Sequence, residues 1–228
     1  MKRAVMLQAR LASQRLPDKA LLKLSGVPVV EHCMMALSGI EASEYLLLTD
    51  EQSASRLAPY AEGAGFTLWI GSENDVLDRY TGAVHRYAID TVIRATGDNP
   101  LVSAWLANRL LTIHEAEGAD YSGFLGMPLG TGVECINGAA LIQAHHDATD
   151  RYDREHVAPY LYRHPELFRI HRPSVDAELA CSTRVTLDTE DDYHFLSRIF
   201  SELWRGRPVE IHELVERLRK PDLIRKSA

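Results

Sequence analysis

An α/β fold built on a mostly parallel, doubly wound sheet is what this sequence predicts, and three observations carry it. Short apolar runs alternate with helical patterns of ten or so residues, the rhythm of βαβ units. No internal repeat, low-complexity tract or linker interrupts that rhythm. The 228 residues, 46% hydrophobic and 25% charged, suffice for one substantial core and leave little room for two full-size domains. A single domain over residues 1–228 is therefore expected.

Residues 3–7 are a short apolar run and the first strand; residues 8–23, polar, basic and without period, are a long loop. Pro28 suits a helix first turn, and Val29, Val30, Cys33, Met34 and Leu37 then share one side until Gly39 ends the pattern. The alternation continues through strand 45–48, helix 51–61, strand 66–70, helix 75–87, strand 91–95 and helix 103–115. After Gly118 the rhythm changes, and glycines at 118, 123, 126, 130, 132 and 138 mark short strands and turns, so residues 118–184 form a small inserted excursion. Within and after it, 133–136 and 168–171 are extended, 139–147 and 154–162 helical, 184–187 a further apolar strand, and 191–203 and 211–219 closing amphipathic helices.

Subtracting 32 acidic from 25 basic residues gives a net charge of −7, a field that repels a phosphate backbone and disfavours non-specific nucleic-acid binding. The opening residues reach Gln8 and Arg10 too soon for a signal-peptide core, and no run approaches the roughly 18 apolar residues of a membrane span, so a cytoplasmic protein is expected. Cys33, Cys135 and Cys181, odd in number and without a CxxC pair, read as small core hydrophobes. Trp69, Trp105 and Trp204 also read as core, and the adjacent His145 and His146 lack the i, i+4 spacing of a helical zinc site.

Ligands of open α/β sheets sit at the carboxyl ends of parallel strands, so the loops leaving them are the place to look. The loop after the first strand carries Arg10, Ser13, Arg15 and Lys19, a natural cradle for polyphosphate or else a solvated basic loop; it is neither a P-loop nor a GxGxxG turn. In residues 94–100, RATGDNP, Asp98 on a glycine turn suits a hard cation such as Mg²⁺, or an Asx turn at a helix entry. Asp188 ends a third apolar run and suits a second Mg²⁺ ligand, while Thr189 with Asp192 three residues later resembles a helix start. Cations at one strand end and carboxylates at two others are what phosphoryl transfer from a nucleoside triphosphate requires.

Residues 8–32, QARLASQRLPDKALLKLSGVPVVEH, resemble the opening signature of the sugar-activating cytidylyltransferases, in particular the spore-coat polysaccharide biosynthesis branch related to the synthetases of CMP-Kdo and CMP-sialic acid. The resemblance continues through GSENDVLDRY (71–80), RATGDNPL (94–101), residues 130–135, REHVAPYLYRHPELFRI (154–170) and VTLDTEDD (185–192), covering nearly the whole chain in the family's order. It implies a three-layer fold of the nucleotide-diphospho-sugar-transferase type, and Mg²⁺-dependent transfer of CMP from CTP to a small acceptor with release of pyrophosphate. Acceptors of this class are sugars or sugar acids, and a phosphonate or other anionic small molecule fits the same half-site. The resemblance places Arg10, Ser13, Arg15 and Lys19 on the CTP phosphates, the backbones of Leu7 and Ala9 at the cytosine, and Asp98 and Asp188 on Mg²⁺. Ser72, Asp75 and Arg79 fall near the nucleotide, either as a ribose contact or as a loop-fixing ion pair. Glu134, Arg154, Glu155 and His156 fall around the acceptor, and a homodimer through residues 118–184 is implied.

Two departures stand out. Asp18 replaces the glycine usual before the phosphate-binding lysine, and Gly132 and Leu129 replace acidic residues of the acceptor region. Two rivals are weaker. A nucleotide-sugar-dependent glycosyltransferase needs a DxD-like motif that the Asp98 loop lacks, and a catalytically silent nucleotide-binding module is expected to have lost Lys19, Asp98 or Asp188.

Overall fold

The computed structural model describes residues 1–221. Strand β1 (Arg3–Gln8) leads into the long basic loop, which closes on a 3₁₀ turn (Lys19–Leu21) and a small hairpin of β2 (Lys23–Leu24) and β3 (Val27–Pro28). Then come α1 (Val29–Leu37), β4 (Glu44–Thr49), α2 (Glu51–Gly63), β5 (Thr67–Ile70), α3 (Val76–Tyr87), β6 (Thr91–Thr96) and α4 (Ala104–Glu117). The excursion supplies β7 (Tyr121–Gly123), β8 (Glu134–Asn137), α5 (Gly138–Asp147), α6 (Arg151–His156), α7 (Pro159–Arg163) and β9 (Ile170–His171). A 3₁₀ turn (Ala177–Leu179), α8 (Glu190–Leu203) and α9 (Ile211–Leu218) complete the described chain.

Seven strands form one sheet in the order β5-β4-β1-β6-β8-β7-β9. The first four are parallel, β8 runs antiparallel to both β6 and β7, and β9 lies parallel to β7. Strand side chains alternate between faces, so each strand feeds two cores. Val5, Leu7, Leu47, Ile93 and Ala95 pack with α1, α2, α4, α8 and α9, whereas Ala4, Met6, Leu46, Leu48 and Val92 pack with α3, α5 and α7. Helices thus cover both faces and make three layers. Helix starts follow local chemistry: Asp50 caps α2, Ser103 caps α4, and Thr189 with Asp192 forms a reciprocal capping box on α8.

Four expectations need correction. Residues 154–162 are not one helix; α6 stops at His156, Val157 takes φ 73°, and α7 restarts at Pro159, whose ring and missing N–H cannot continue a helix interior. Residues 184–187 do not form a sheet strand, because their donors go to loops: Val185 N to Leu129 O at 2.8 Å and Leu187 N to Asp98 O at 2.8 Å. Trp105 is 40% exposed rather than core, with its ring against Arg109 and His212. Cys33 and Cys135 are buried free thiols, but Cys181 is only half-buried. No helix among the described residues is long and apolar enough to cross a membrane.

Candidate active site

The carboxyl ends of β1, β4 and β6 are stitched together by their loops. Ala9 N donates to Leu48 O at 3.0 Å and Gly97 N donates to Gln8 O at 2.8 Å. Gly97 is required by this approach: a Cβ there would lie 2.8 Å from that of Ala9 and 3.1 Å from Gln8 O. The basic loop is anchored further on, where Leu11 N donates to Ser53 Oγ at 3.0 Å and Ser53 is itself held by the α2 cap Asp50. Asp18 then turns the chain in the left-handed region, φ 54°, and its carboxylate accepts two hydrogen bonds from Arg56 at 2.8 and 2.9 Å.

This anchoring aims Lys19 at the two carboxylates from the other loops. Its Nζ donates to Asp98 Oδ2 at 2.7 Å and to Asp188 Oδ1 at 2.9 Å. Arg15 lies 3.2 Å from Asp188 Oδ1, and Arg184 pairs with the other oxygen of the same carboxylate. Leu187 N on Asp98 O ties the two acidic segments together, and Asp192 accepts from Asp188 N at 2.8 Å. Burial pushes the Asp188 carboxyl up, but the hydrogen bond and charge of Lys19, with Arg15 and Arg184, outweigh it and hold the group below the usual carboxylate range. Asp192 also lies 3.8 Å from Arg184, so Lys19, Arg15 and Arg184 face three carboxylates and the charges of the cluster balance.

The other expected site residues take varied places. Arg10 is half-exposed and reaches across to α6, 3.8 Å from Glu155. Ser13 stays in the anchored loop, its N–H on Leu11 O at 2.8 Å. Leu7 is fully buried inside the sheet, registered between Leu47 and Ala95 one residue before the end of β1. Ala9, at the strand end, is the backbone that borders the site.

Ser72, Asp75 and Arg79 resolve toward the loop-fixing alternative. Ser72 Oγ accepts from Asp75 N at 3.1 Å, Asp75 caps α3, and Arg79 Nε donates to Ser72 O at 2.9 Å. Gly71 makes room for Arg79, whose Cγ would lie 2.7 Å from a Cβ there. Arg154 is also structural: its Nε donates to Asp75 Oδ2 at 2.5 Å and its Nη1 to the carbonyls of His145 and Ala148, both at 3.0 Å. His156 is exposed and lies against the Tyr152 ring.

Glu134 accepts from Tyr121 Oη at 2.7 Å and pairs with Arg94, whose Nη2 also donates to Gln8 Oε1 at 3.1 Å. Burial disfavours the Arg94 cation, and the adjacent Glu134 charge more than restores it. At Gly132 a Cβ would overlap the end of the Met127 side chain, which fills that space. Sequence reasoning missed Arg184, Arg94, Ser53 and Arg56. Only Arg94 and Glu134 carried a signal, as opposite charges each set inside an otherwise apolar strand.

The fold and this cluster define a nucleotidyltransferase-type site, and a family model described as cytidylyltransferase matches residues 4–219, so the chain belongs to the cytidylyltransferase family. It is 30% identical over 225 residues to the spore coat polysaccharide biosynthesis protein SpsF of Bacillus subtilis, covering 95% of this chain and 94% of that protein. A cytidylyltransferase from Leptospira borgpetersenii has the same fold with a TM-score of 0.91 at 25% identity, over 100% of this chain and 98% of that one. A CMP:2-keto-3-deoxy-manno-octonic acid synthetase solved with CTP superposes with a TM-score of 0.70 at 15% identity, over 89% and 99% of the two chains, a likeness of fold alone.

Proposed function

We propose that this protein transfers CMP from CTP to a small acceptor, a sugar, sugar acid or other anionic molecule, and releases pyrophosphate, with Mg²⁺ as cofactor. The observation that carries the reading is Lys19, whose ammonium sits 2.7 and 2.9 Å from two carboxylates of separate strand-end loops. That geometry also fits a hard divalent cation: Asp98 and Asp188 bring oxygens to one point already marked by a positive charge. No cluster of three or more potential ligands occurs among the described residues, and Asp98 and Asp188 are the two side chains that would hold the cation. When bound, the cation supplies charge neutralisation at the transferring and departing phosphates.

The chain's own residues do the rest. Asp98 and Asp188 would hold the cation, Arg10, Arg15 and Lys19 grip the phosphates and stabilise the leaving pyrophosphate, and Ser13 and Ala9 border the nucleotide. The acceptor oxygen forms a bond to the α-phosphorus as the bond to the bridging oxygen of pyrophosphate breaks, in line. Glu155 and Glu134 border the acceptor, whereas Arg154, Ser72, Asp75 and Arg79 fix the surrounding loops. The test is pyrophosphate release with each of CTP, ATP, GTP and UTP, Mg²⁺, and a panel of sugars, sugar acids and phosphonates. Release with CTP and one acceptor class supports the reading; release with none of them, or a preference for another triphosphate, overturns it.

A further inference from the structure

A row of polar and aromatic side chains leads away from the cation cluster along the sheet. It starts at Gln8, the last residue of β1, and passes to Arg94 through the 3.1 Å contact of Oε1 with Nη2. Arg94 lies opposite Glu134 in the β6–β8 register, and Glu134 lies opposite Gly123 in the β8–β7 register. The β7–β9 pairing ends at Ser122 with His171, so Arg172 is one step past it, beside Gly123. Directly opposed residues share a face, which puts Arg94, Glu134, Gly123 and Arg172 in one line.

Gly123 leaves a gap in that line, and Tyr121 leans into it: a Cβ at 123 would be 3.1 Å from Tyr121 Oη. The Tyr121 hydroxyl donates to Glu134 and its ring meets that of Tyr162 at 5.6 Å between centroids. Beyond them, the Arg172 guanidinium stands 5.7 Å from the Tyr162 ring centroid. Arg94 and Glu134 cancel each other's charge. Lys19, Arg15, Arg154 and Arg184 each face a carboxylate as well. Arg172 is exposed and forms no ion pair among the described residues; it lies instead over the aromatic face of Tyr162.

Resting on the cytidylyltransfer reading above, we propose that Arg172 is the specificity residue that binds the anionic group of the acceptor, a carboxylate or a phosphate. Tyr162 then forms an aromatic wall along the acceptor, backed by the buried Tyr121 ring, which the Arg94–Glu134 pair positions through the Tyr121 hydroxyl. Three strand spacings of about 4.8 Å separate β6 from β9, roughly 14 Å, so the acceptor is a multi-carbon molecule that shares this span with the Arg172 side chain. A guanidinium fork suits either anion, and the Tyr162 face 5.7 Å away engages no N–H donor of Arg172 in an ion pair.

The test uses the full chain labelled with ¹⁵N at arginine Nε, the Arg172 resonance being assigned by its loss in Arg172→Gln. The probes are 3-deoxy-manno-octulosonate, glucose 1-phosphate and neutral sorbitol, and calorimetry measures their affinities in parallel. A saturable shift of the Arg172 resonance is expected with one of the anions and not with sorbitol, and the anion that binds more tightly identifies carboxylate or phosphate. Arg172→Gln is expected to weaken that anion's binding about tenfold or more, the scale of one charge-assisted hydrogen bond, with partial recovery in Arg172→Lys. An unmoved Arg172 resonance with both anions, or unchanged affinity in Arg172→Gln, overturns the assignment. CTP binding, measured in the same samples, separates the two ideas: wild-type protein that fails to bind CTP refutes the underlying reading, whereas intact CTP binding with an inert Arg172 refutes only this one.

Discussion

Replacing Glu134 with glutamine removes one charge from the sheet and leaves its size and shape. Arg94 then loses the carboxylate that compensates it, in a place where its side chain is 13% exposed and that of Glu134 24%. Breaking a buried ion pair from one side costs about 3–5 kcal/mol, because the remaining charge stays desolvated. The glutamine amide oxygen still accepts a hydrogen bond from Tyr121 or Arg94, so the expected loss is at the lower end, about 3 kcal/mol. For a chain of this size each kcal/mol moves Tm by about 2–4 °C, and Glu134→Gln should therefore melt about 6–12 °C below wild type. The double variant Arg94→Met, Glu134→Leu removes both charges and should recover most of that loss, since a buried pair exchanged for apolar residues is often neutral or stabilising. Thermal unfolding by circular dichroism of the wild type, Arg94→Met, Glu134→Leu and the double variant closes the cycle, with Glu134→Gln melted beside them. A Glu134→Gln variant that melts with wild type, or a double variant no better than the worse single one, would refute the claim that this pair is a mutually dependent buried unit.

CTP should raise Tm more than ATP, GTP or UTP at equal concentration, as ligands bound only by the folded state stabilise by mass action; equal shifts for all four would remove cytidine specificity. Asp98→Asn and Asp188→Asn should each lower turnover by orders of magnitude with the circular dichroism spectrum retained, and near-wild-type Mg²⁺-dependent activity in either variant would exclude that residue from the site. Because the folded-state pKa of Asp188 is depressed, its stabilisation is present above the ordinary carboxylate pKa of about 3.9 and is lost as pH falls through the lower folded value. Asp188→Asn should accordingly soften the acid limb of a stability profile, and an unchanged limb would contradict the pairing. A bare carboxylate beside Lys19 would repel CTP, but Arg56 already neutralises Asp18, so Asp18→Asn should leave the KM for CTP nearly unchanged; a marked fall would show that Asp18 opposes the phosphates despite its partner.

Much of the architecture was legible because it depends on local chemistry. The apolar runs of β1, β4 and β6, buried on both faces of the sheet, and the helical spacing in α1 are set by which residues must be apolar, so the α/β alternation follows directly. Thr189 and Asp192 announced the start of α8 for the same reason, as a capping box needs only residues three apart. Residues 154–162 misled because their apolar spacing continues through a point where Pro159 forbids a continuous helix. Residues 184–187 look like a strand but lie beside loops, and no local pattern states which backbone will accept their hydrogen bonds.

The sequence by itself determined the α/β class, the elements, and the three strand-end loops that carry Lys19, Asp98 and Asp188. The strand order and the contacts between those loops were decided by the tertiary structure alone. Lys19 meets carboxylates 79 and 169 residues away, and Arg94 meets Glu134 40 residues on. The physical reason is that an ion pair needs atoms within a few ångströms, while spacing along a chain constrains distance only within one turn or one strand. Whether Arg154 would face a ligand or Asp75, and whether Asp18 would face phosphate or Arg56, turned on which opposite charge the folded chain brought nearest.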